Sequence, residues 1–351
     1  MTSTQLEVGL QASFEVDFWR RLASLSEAAR ADLLATQLAR DNVQVSLVGD
    51  VATTYFDLLS LKQQLRITAA TVATRQRFLN LTQSKFKRGA ADGLELSRAE
   101  ASLALAQTNL PDLRRQIGQT EIGLQILLGH NPAPVGIDPL DLQALPNPPA
   151  VPAGLPSTLL ERRPDLRQAE ASLVGATARV RATRAELFPS IILTGSAGAQ
   201  SAALADLFKG PARSWSFGLS LLRPLFEANR NGYRVDAAQA RADQAVVQYE
   251  QAVAQAFREV SDALIARRDY ADSQIAQERQ AQALRDTSRR VHRRYEAGVS
   301  SYFEVVDADR DLFTAELQLV QSYRNHMVAL VQLYKALGAV GRPTRLSRPP
   351  P

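Results

Sequence analysis

An internal repeat constrains the fold of this chain more than any other feature. Residues 51–129 align with residues 260–338 without a gap, at a constant offset of 209 positions. Identical residues recur along the alignment: Gly89 with Gly298, Glu95 with Glu304, Leu103 with Leu312, Arg115 with Arg324, and Gly129 with Gly338. A constant offset over this length indicates that one supersecondary unit was duplicated and occupies equivalent places in the fold.

The composition favours helices and excludes several function classes. The chain is 45% hydrophobic but only 6% aromatic, with abundant Ala, Leu, Arg, Gln and Glu, which is typical of long helices. It contains no cysteine, so disulfides and thiolate metal sites are excluded. The net charge is +5, but acidic and basic residues alternate, and the basic run 289–294 contains no aromatic residue. We interpret that run as a solvated helix face, with a phosphate-binding patch as the less favoured alternative, and predict no nucleic-acid partner.

Two segments predict very long helices. Residues 22–88 contain no proline and one glycine, Gly49, and residues 233–297 contain neither. A helix of about 65 residues is roughly 100 Å long, which indicates a coiled coil or a helical tube. Each segment ends at a glycine turn, beginning at Gly89 or at Gly298.

A shorter return helix follows each turn, over about 94–128 and 302–337. Pro111 lies inside the first return helix and predicts a kink or break there. The second shows two rows at heptad spacing, Leu312, Leu319, His326, Leu333 and Tyr323, Leu330, Leu337. We interpret His326 as a structural residue of this seam, and likewise His130 and His292, which have no partner residue nearby in sequence.

The repeat suggests four segments. Residues 1–129 form an incomplete first repeat, and residues 130–156, with eight prolines, form a connector. Residues 157–338 form the second repeat, which opens with a helix from Ser157 to about Leu187. Residues 339–351 form a disordered tail.

Three segments alternate between apolar and polar residues, over about 8–18, 191–198 and 214–221. Each has the length of a tilted strand crossing a bilayer. We therefore predict a β-barrel wall, with 200–213 as an exposed loop and these lipid-facing residues: Phe14, Val16, Phe18, Ile191, Leu193, Trp215, Phe217 and Leu219. The alternative is a sandwich packed against helices, which would bury Trp215 and Phe217 inside a compact monomer.

Four motifs resemble those of one family. They are LPSTLLERRPDLRQAE at 155–170, FPSI at 188–191, RYEAG at 294–298 and VVDADR at 305–310. They are similar to signatures of the outer-membrane efflux channels of the TolC and OprM type, within the NodT-like lipoprotein branch. The resemblance covers about residues 8–340 and implies a mainly α fold with a small β part, in which a long-helix α-barrel continues a transmembrane β-barrel.

The resemblance also implies a function. Family members are homotrimers in which each chain gives four strands to one barrel, and the duct carries drugs or other solutes. An inner-membrane pump and a periplasmic adaptor deliver the solute, in a tripartite efflux or type I secretion system, and outer-membrane lipid surrounds the barrel. No cofactor is expected. Members begin with a signal peptide, often a lipidated cysteine, and then a first helix and strand, so we expect this sequence to be truncated at its N-terminus.

By motif match, the periplasmic gate falls on the second return helix. Phe303, Asp307, Arg310 and Asp311 share one face at 100° per residue, which Thr314, Gln318, Gln321 and Asn325 continue, whereas Asp309 points away. Three Asp307 carboxylates around a trimer axis would raise one another's proton affinity, and Arg310 would oppose that change. The alternative is a solvated helix end with an ordinary i,i+3 Asp–Arg pair.

The two turns are the expected adaptor-docking tips. They contain Lys85, Arg88, Gly89, Arg294, Tyr295 and Gly298, although helix termination alone would also require the glycines. An enzyme is not expected, because the phosphate-binding GxxxxGK[ST], the zinc-binding HExxH and the nucleophile motif GxSxG are absent. The remaining alternative is a periplasmic adaptor or scaffold, but adaptors place a compact β domain between two hairpin halves, and here strands alternate with helices in a duplicated order.

Overall fold

The computed structural model describes residues 6–131, 162–223 and 229–338. Its elements, in chain order, are β1 (Leu6–Val16), α1 (Arg21–Lys87), α2 (Gly93–Leu127), α3 (Pro164–Ala185), β2 (Ser190–Ser201), β3 (Arg213–Leu222), α4 (Arg230–Glu296) and α5 (Tyr302–Ala336). The tail 339–351, all but two residues of the connector, and the predicted helix start at Ser157 lie outside the described residues.

The duplicated helices have equal lengths. Helices α1 and α4 each contain 67 residues, and α2 and α5 each contain 35. The offset of 209 holds at both ends of each pair, from Arg21 and Arg230 to Leu127 and Ala336. The duplication therefore extends, in structure, some thirty residues further toward the N-terminus than the aligned sequence.

Glycines close the helices at matching places in the two repeats. Gly89 and Gly298 have φ values of +72° and +77°, in the left-handed region that favours glycine. The residue after each glycine donates its amide to a carbonyl five positions back, Ala90 to Lys85 at 2.9 Å and Val299 to Arg294 at 2.8 Å. This pattern ends the helix and satisfies carbonyls of its last turn.

The return helices begin at matching caps. The Asp92 carboxylate accepts a hydrogen bond from the Glu95 amide at 2.7 Å, which caps α2. At the equivalent position, Ser301 and Glu304 form a reciprocal capping box that begins α5. The two turns are thus built alike by different side chains.

The predicted break at Pro111 is wrong, because α2 runs from Gly93 to Leu127 through the proline. Proline removes one hydrogen bond of the helical ladder, but Ala106 and Leu113 are buried on either side and hold both segments against their neighbours. The side chains of Thr108 and Asn109 also donate to the Leu105 carbonyl, just before the proline.

The described residues group into two compact units, and α1 and α4 contribute to both. The first unit comprises residues within 1–41 and 164–254 and contains the sheet, in the order β1-β2-β3 with antiparallel neighbours. In this unit Val180 of α3 packs against Ala238 and Ala242 of α4. Arg181 of α3 also pairs with Glu27 of α1 at 2.7 Å.

The second unit comprises residues within 42–163 and 255–351 and contains both helical hairpins. Its largest apolar cluster joins the two repeats through these buried residues: Leu79, Ala99, Leu103, Tyr295, Tyr302 and Val305. Small residues such as Ala99 let the helices approach closely. In the described part of the chain, no helix is both long and apolar enough to traverse a bilayer.

Candidate functional site

One face of the sheet is a continuous apolar surface. The register places Phe14 beside Leu193 and Leu193 beside Leu219, so the three strands direct their apolar residues to the same side. Trp215 is 82% exposed and Phe217 is 71% exposed. The compact sandwich would have buried both residues, and the structure does not support it.

The other predicted lipid-facing residues divide by strand position. Phe18 is largely exposed, like Phe14 and Leu219. Its predicted place on the first strand is wrong, because β1 ends at Val16 and Phe18 lies in the turn that follows. Ile191 and Leu193 are only half-buried because β2 lies between two neighbours, and Val16 is half-buried at the end of β1. Lipid contact is consistent with these exposures and stays a proposal for each residue.

The opposite face of the sheet is polar. Ser196 and Ser216 are paired across β2 and β3, and their hydroxyl oxygens are 2.9 Å apart. The Thr194 hydroxyl donates to the Gly218 carbonyl at 3.4 Å. Because side chains alternate between faces, an apolar outer surface and a hydrophilic inner surface arise from the same three strands.

Aromatic residues lie where the strands meet the helices. The Trp19 ring stacks on Phe188 with 4.4 Å between ring centroids, and its Nε1 donates to the Pro189 carbonyl at 2.9 Å. This contact gives a physical reason for the FPSI motif at 188–191, because Phe188 and Pro189 anchor the end of β1 to the start of β2. Trp19 was not predicted from the sequence, because it follows Phe18 directly and therefore lies outside the alternating pattern.

At the hairpin tips, Tyr295 ties the two repeats together. Its ring is 3% exposed, and its hydroxyl donates to Glu95 at 2.6 Å, from α4 to α2. The Lys85 ammonium lies 3.7 Å from the ring centroid. Burial, aided by the hydrogen bond to Glu95, raises the pKa of Tyr295 to about 12. Tyr295 therefore holds the tip together, and its side chain is not part of the exposed surface.

Four other tip residues are accessible to solvent. Arg88, Gly89, Arg294 and Gly298 are exposed on the two turns. Val299, immediately after the second turn glycine, is 68% exposed and was not predicted as a tip residue. No periodic signal marks a single apolar residue in a turn, so only the structure could identify it.

The predicted polar face on α5 is present. Arg310 donates to Asp307 at 2.6 Å and to Asp311 at 3.0 Å, and both carboxylates raise its pKa. Phe303 is exposed one turn earlier, and the Arg98 guanidinium lies 5.5 Å from its ring centroid. Thr314, Gln318 and Gln321 continue the exposed face, while Asn325 is half-buried.

Asp309 points into the hairpin, as its helical position predicts. Its Oδ1 lies 2.8 Å from the Ser288 hydroxyl and 2.8 Å from His292 Nε2, both on α4. The His292 ring also meets Phe78 of α1 edge-on. The partner of His292 could not be predicted from neighbouring residues, because Asp309 approaches it only after the chain has turned at the tip.

A buried arginine lies beside this cluster and was also missed. Arg75 of α1 donates to the Ser102 carbonyl of α2 at 2.7 Å, and its guanidinium lies 5.8 Å from the Phe313 ring centroid. Burial lowers the pKa of Arg75, and the Asp309 carboxylate opposes that change. His326, like His292, contacts a polar side chain of α4: its Nδ1 lies 2.7 Å from Gln274 Oε1.

The comparisons with known proteins agree with this geometry. The family model described as outer membrane efflux protein matches residues 1–130 and 155–339. The solvent efflux pump outer membrane protein SrpC of Pseudomonas putida is 38% identical over 338 residues, which are 95% of this chain and 71% of SrpC. The cation efflux system protein CusC of Escherichia coli K12 is 35% identical over 340 residues, 96% of this chain and 74% of CusC.

A solved structure shows the same fold. The open state of the Neisseria gonorrhoeae MtrE outer membrane channel is 31% identical to this chain and superposes with a TM-score of 0.85. The match covers 96% of this chain and 80% of MtrE. These relatives support the channel interpretation over the adaptor alternative and place the long-helix fold in the outer membrane, extending into the periplasm. The chain belongs to the outer membrane efflux protein family.

Proposed function

We propose that this chain belongs to a subunit of a passive trimeric duct through the outer membrane, which carries solutes out of the periplasm. The continuous apolar face that exposes Trp215 and Phe217 supports this proposal most strongly. Within the described residues, the outer edges of β1 and β3 have no strand partner. Backbone groups in lipid must be hydrogen-bonded, so these edges require pairing in a closed barrel. The two helical repeats of each chain would then form the wall of a periplasmic tube.

The duct makes and breaks no covalent bonds in this proposal. An inner-membrane pump supplies the energy, and a periplasmic adaptor joins that pump to the helical tips. SrpC is named for a solvent efflux pump and CusC for a cation efflux system, so the family serves chemically different cargoes. We therefore assign selection of the solute to the pump.

A direct test combines extraction, mass and conductance. The purified protein should require detergent, have the mass of three chains by light scattering, and give discrete conductance steps in a planar bilayer. A protein that stays in solution as a monomer without detergent would contradict the proposal.

We propose that Asp307, Arg310, Asp311 and Phe303 narrow the periplasmic end. In a trimer, three Asp307–Arg310 pairs would face one another around the axis, and removing the carboxylates would relax that ring. We expect Asp307→Ala to raise the open-channel conductance. Asp269→Ala is the matched control, because Asp269 is also an exposed carboxylate paired with a neighbouring arginine, at 2.9 Å. Equal conductance in both variants would contradict the gate and would favour the alternative, in which Asp307 and Arg310 form an ordinary solvated ion pair.

We propose that the exposed tip residues dock the adaptor. Lys85, Arg88 and Arg294 lie in the sequence beside the two turns, and Val299 is exposed in the second turn. This combination favours a partner surface with both acidic and apolar residues. The chain has no cysteine, so single cysteines can be introduced without background. Arg88→Cys and Val299→Cys should crosslink to the adaptor, and Arg268→Cys, in the middle of α4, should not. Equal crosslinking at all three positions would contradict tip docking.

A further inference from the structure

A furrow runs along β2 on the apolar face of the sheet. The residues that β2 places on this face are small over half its length: Gly195, Ala197 and Ala199. On β1, Val8 and Leu10 flank Ala199 and Ala197, while the small Ala12 lies beside Gly195. On β3, Trp215 and Phe217 lie beside Ala197 and Gly195. The furrow ends at Leu193, which Phe14 and Leu219 flank. From Gly195 to Ala199 it is about 13 Å long at 3.3 Å per residue, enough for part of an extended acyl chain.

The loop end of the furrow widens into a groove of about 430 Å³, lined by Val8, Ala197, Ala199, Phe208, Arg213 and Trp215. Phe208 is 75% exposed at the groove, whereas the preceding Leu207 is 2% exposed and anchors the loop. The groove is therefore bordered by a loop that packs against its own protomer.

A positive charge borders the groove. Lys209, in the same loop, pairs with Asp206 at 2.5 Å, whereas within the described part of the chain no carboxylate pairs with Arg213. Arg213 opens β3 at the end of the sheet that points away from the helices, where Leu6 and Ser201 are paired. In the outer-membrane orientation this end lies at the outer leaflet.

We propose that this furrow binds one acyl chain of a phosphorylated lipid of the outer leaflet and that Arg213 contacts its phosphate. The inference rests on the proposed function, because it requires the apolar face to meet lipid. The apolar lining suits a hydrocarbon chain, the small residues of β2 leave room for it, and the guanidinium is a preferred partner of phosphate. A water-soluble phosphate has no hydrocarbon chain that could occupy the furrow.

Fluorescence of Trp215 can test this directly. The chain contains two tryptophans, and Trp19→Phe keeps the stacking on Phe188 while leaving Trp215 as the single reporter. In this background, the detergent-purified protein is titrated with lipids brominated on their acyl chains, which quench tryptophan on contact. Phosphatidic acid carries the phosphomonoester, and phosphatidylcholine with the same chains is the reference lipid.

We expect phosphatidic acid to reach half-quenching at a mole fraction about fivefold lower than phosphatidylcholine, as one arginine near a membrane surface predicts. Arg213→Gln should abolish this preference. Arg223→Gln, at the opposite end of β3, is the matched control and should retain it. Ala197→Leu fills the furrow and should move the midpoint for phosphatidic acid toward that for phosphatidylcholine.

Each outcome separates the two proposals. Quenching by both lipids with equal midpoints, or a preference that survives Arg213→Gln, overturns the lipid site while leaving the barrel intact. An unchanged midpoint in Ala197→Leu overturns the furrow as the place of the acyl chain. Absence of quenching by either lipid would mean that Trp215 does not meet lipid and would contradict the proposed function itself.

Discussion

The two helical hairpins share one geometry and differ in the chemistry they carry. Their helices have the same lengths, end in left-handed glycines at matching positions and begin again at matching caps. The side chains at equivalent positions differ: Tyr295 replaces Phe86, Asp307 replaces Arg98, and Asp309 replaces Glu100. Only the second hairpin therefore carries the buried hydroxyl at the tip and the Asp307–Arg310–Asp311 cluster. The duplication preserved the backbone, and divergence at its surface made one copy the candidate gate.

The C-terminal ends of the two return helices, α2 and α5, also differ in their side-chain contacts. At the end of α5, Arg163 donates to the Ala336 carbonyl at 3.0 Å and to Glu259 of α4 at 2.7 Å. At the equivalent end of α2, Leu128 is exposed. Arg163 belongs to the family motif at 155–170. Its two contacts hold the C-terminal end of α5 against α4, and we call this arrangement a clamp.

The largest effect expected from this comparison is loss of that clamp. Arg163→Met removes a buried guanidinium and leaves the last carbonyl of α5 without its partner, so we expect a loss of about 2–3 kcal/mol in the free energy of unfolding. Arg162→Met is the control because Arg162 is exposed, and its change should stay within about 0.5 kcal/mol. Denaturant unfolding of both variants measures the difference, and equal losses would contradict the clamp.

The tip hydroxyl should have the next largest effect. Tyr295→Phe gives the second hairpin the residue of the first, and it removes the hydrogen bond to Glu95 while keeping the ring. We expect a loss of about 1–2 kcal/mol, since a hydrogen bond to a charged group is stronger than a neutral one. Tyr270→Phe is the control, because Tyr270 lies on the same helix and is exposed. Thermal unfolding that is identical for the two variants would show that the hydroxyl does not join the repeats.

The same tyrosine predicts a dependence on alkaline pH. Burial raises the pKa of Tyr295 and of Tyr302 to about 12, above the ordinary value of 10.0. The folded state thus holds these protons more tightly than the unfolded state, and the resulting stability is complete below pH 10 and is lost as the pH rises from 10 to 12. The double variant Tyr295→Phe/Tyr302→Phe should show a shallower fall in Tm over this range. A slope equal to that of the unmodified protein would contradict the assignment.

The helices were predictable from sequence because their signals are local and repeated. Both long helices begin and end within three residues of the predicted bounds, since proline is absent within them and glycine marks their ends. The strands were predictable because alternation reports directly which residues share a face. Pro111 was misjudged because tertiary burial on both sides of a proline cannot be seen in a local pattern.

The candidate site was only partly predictable for the same reason. The exposed face with Asp307 and Arg310 follows from a helical period on one element. The contact of His292 with Asp309, the burial of Arg75 and the clamp at Arg163 depend on pairs that approach only when different helices pack. A single sequence contains each residue of those pairs but not their distance.

The smallest change in stability is expected for Asp307→Asn, and it distinguishes a role of Asp307 in the gate from a role in the fold. Arg310 is exposed and the Asp307 side chain is about half exposed, and an i,i+3 pair at such a surface position contributes only a few tenths of a kcal/mol. Asp307→Asn should therefore leave the Tm nearly unchanged, in contrast to Tyr295→Phe one turn below the tip. If the same variant nevertheless changes the conductance, the carboxylate acts on the pore and not on the fold. A large fall in Tm would instead mean that the second hairpin uses Asp307 for packing, and the proposed division between an inherited backbone and a diverged surface would not hold.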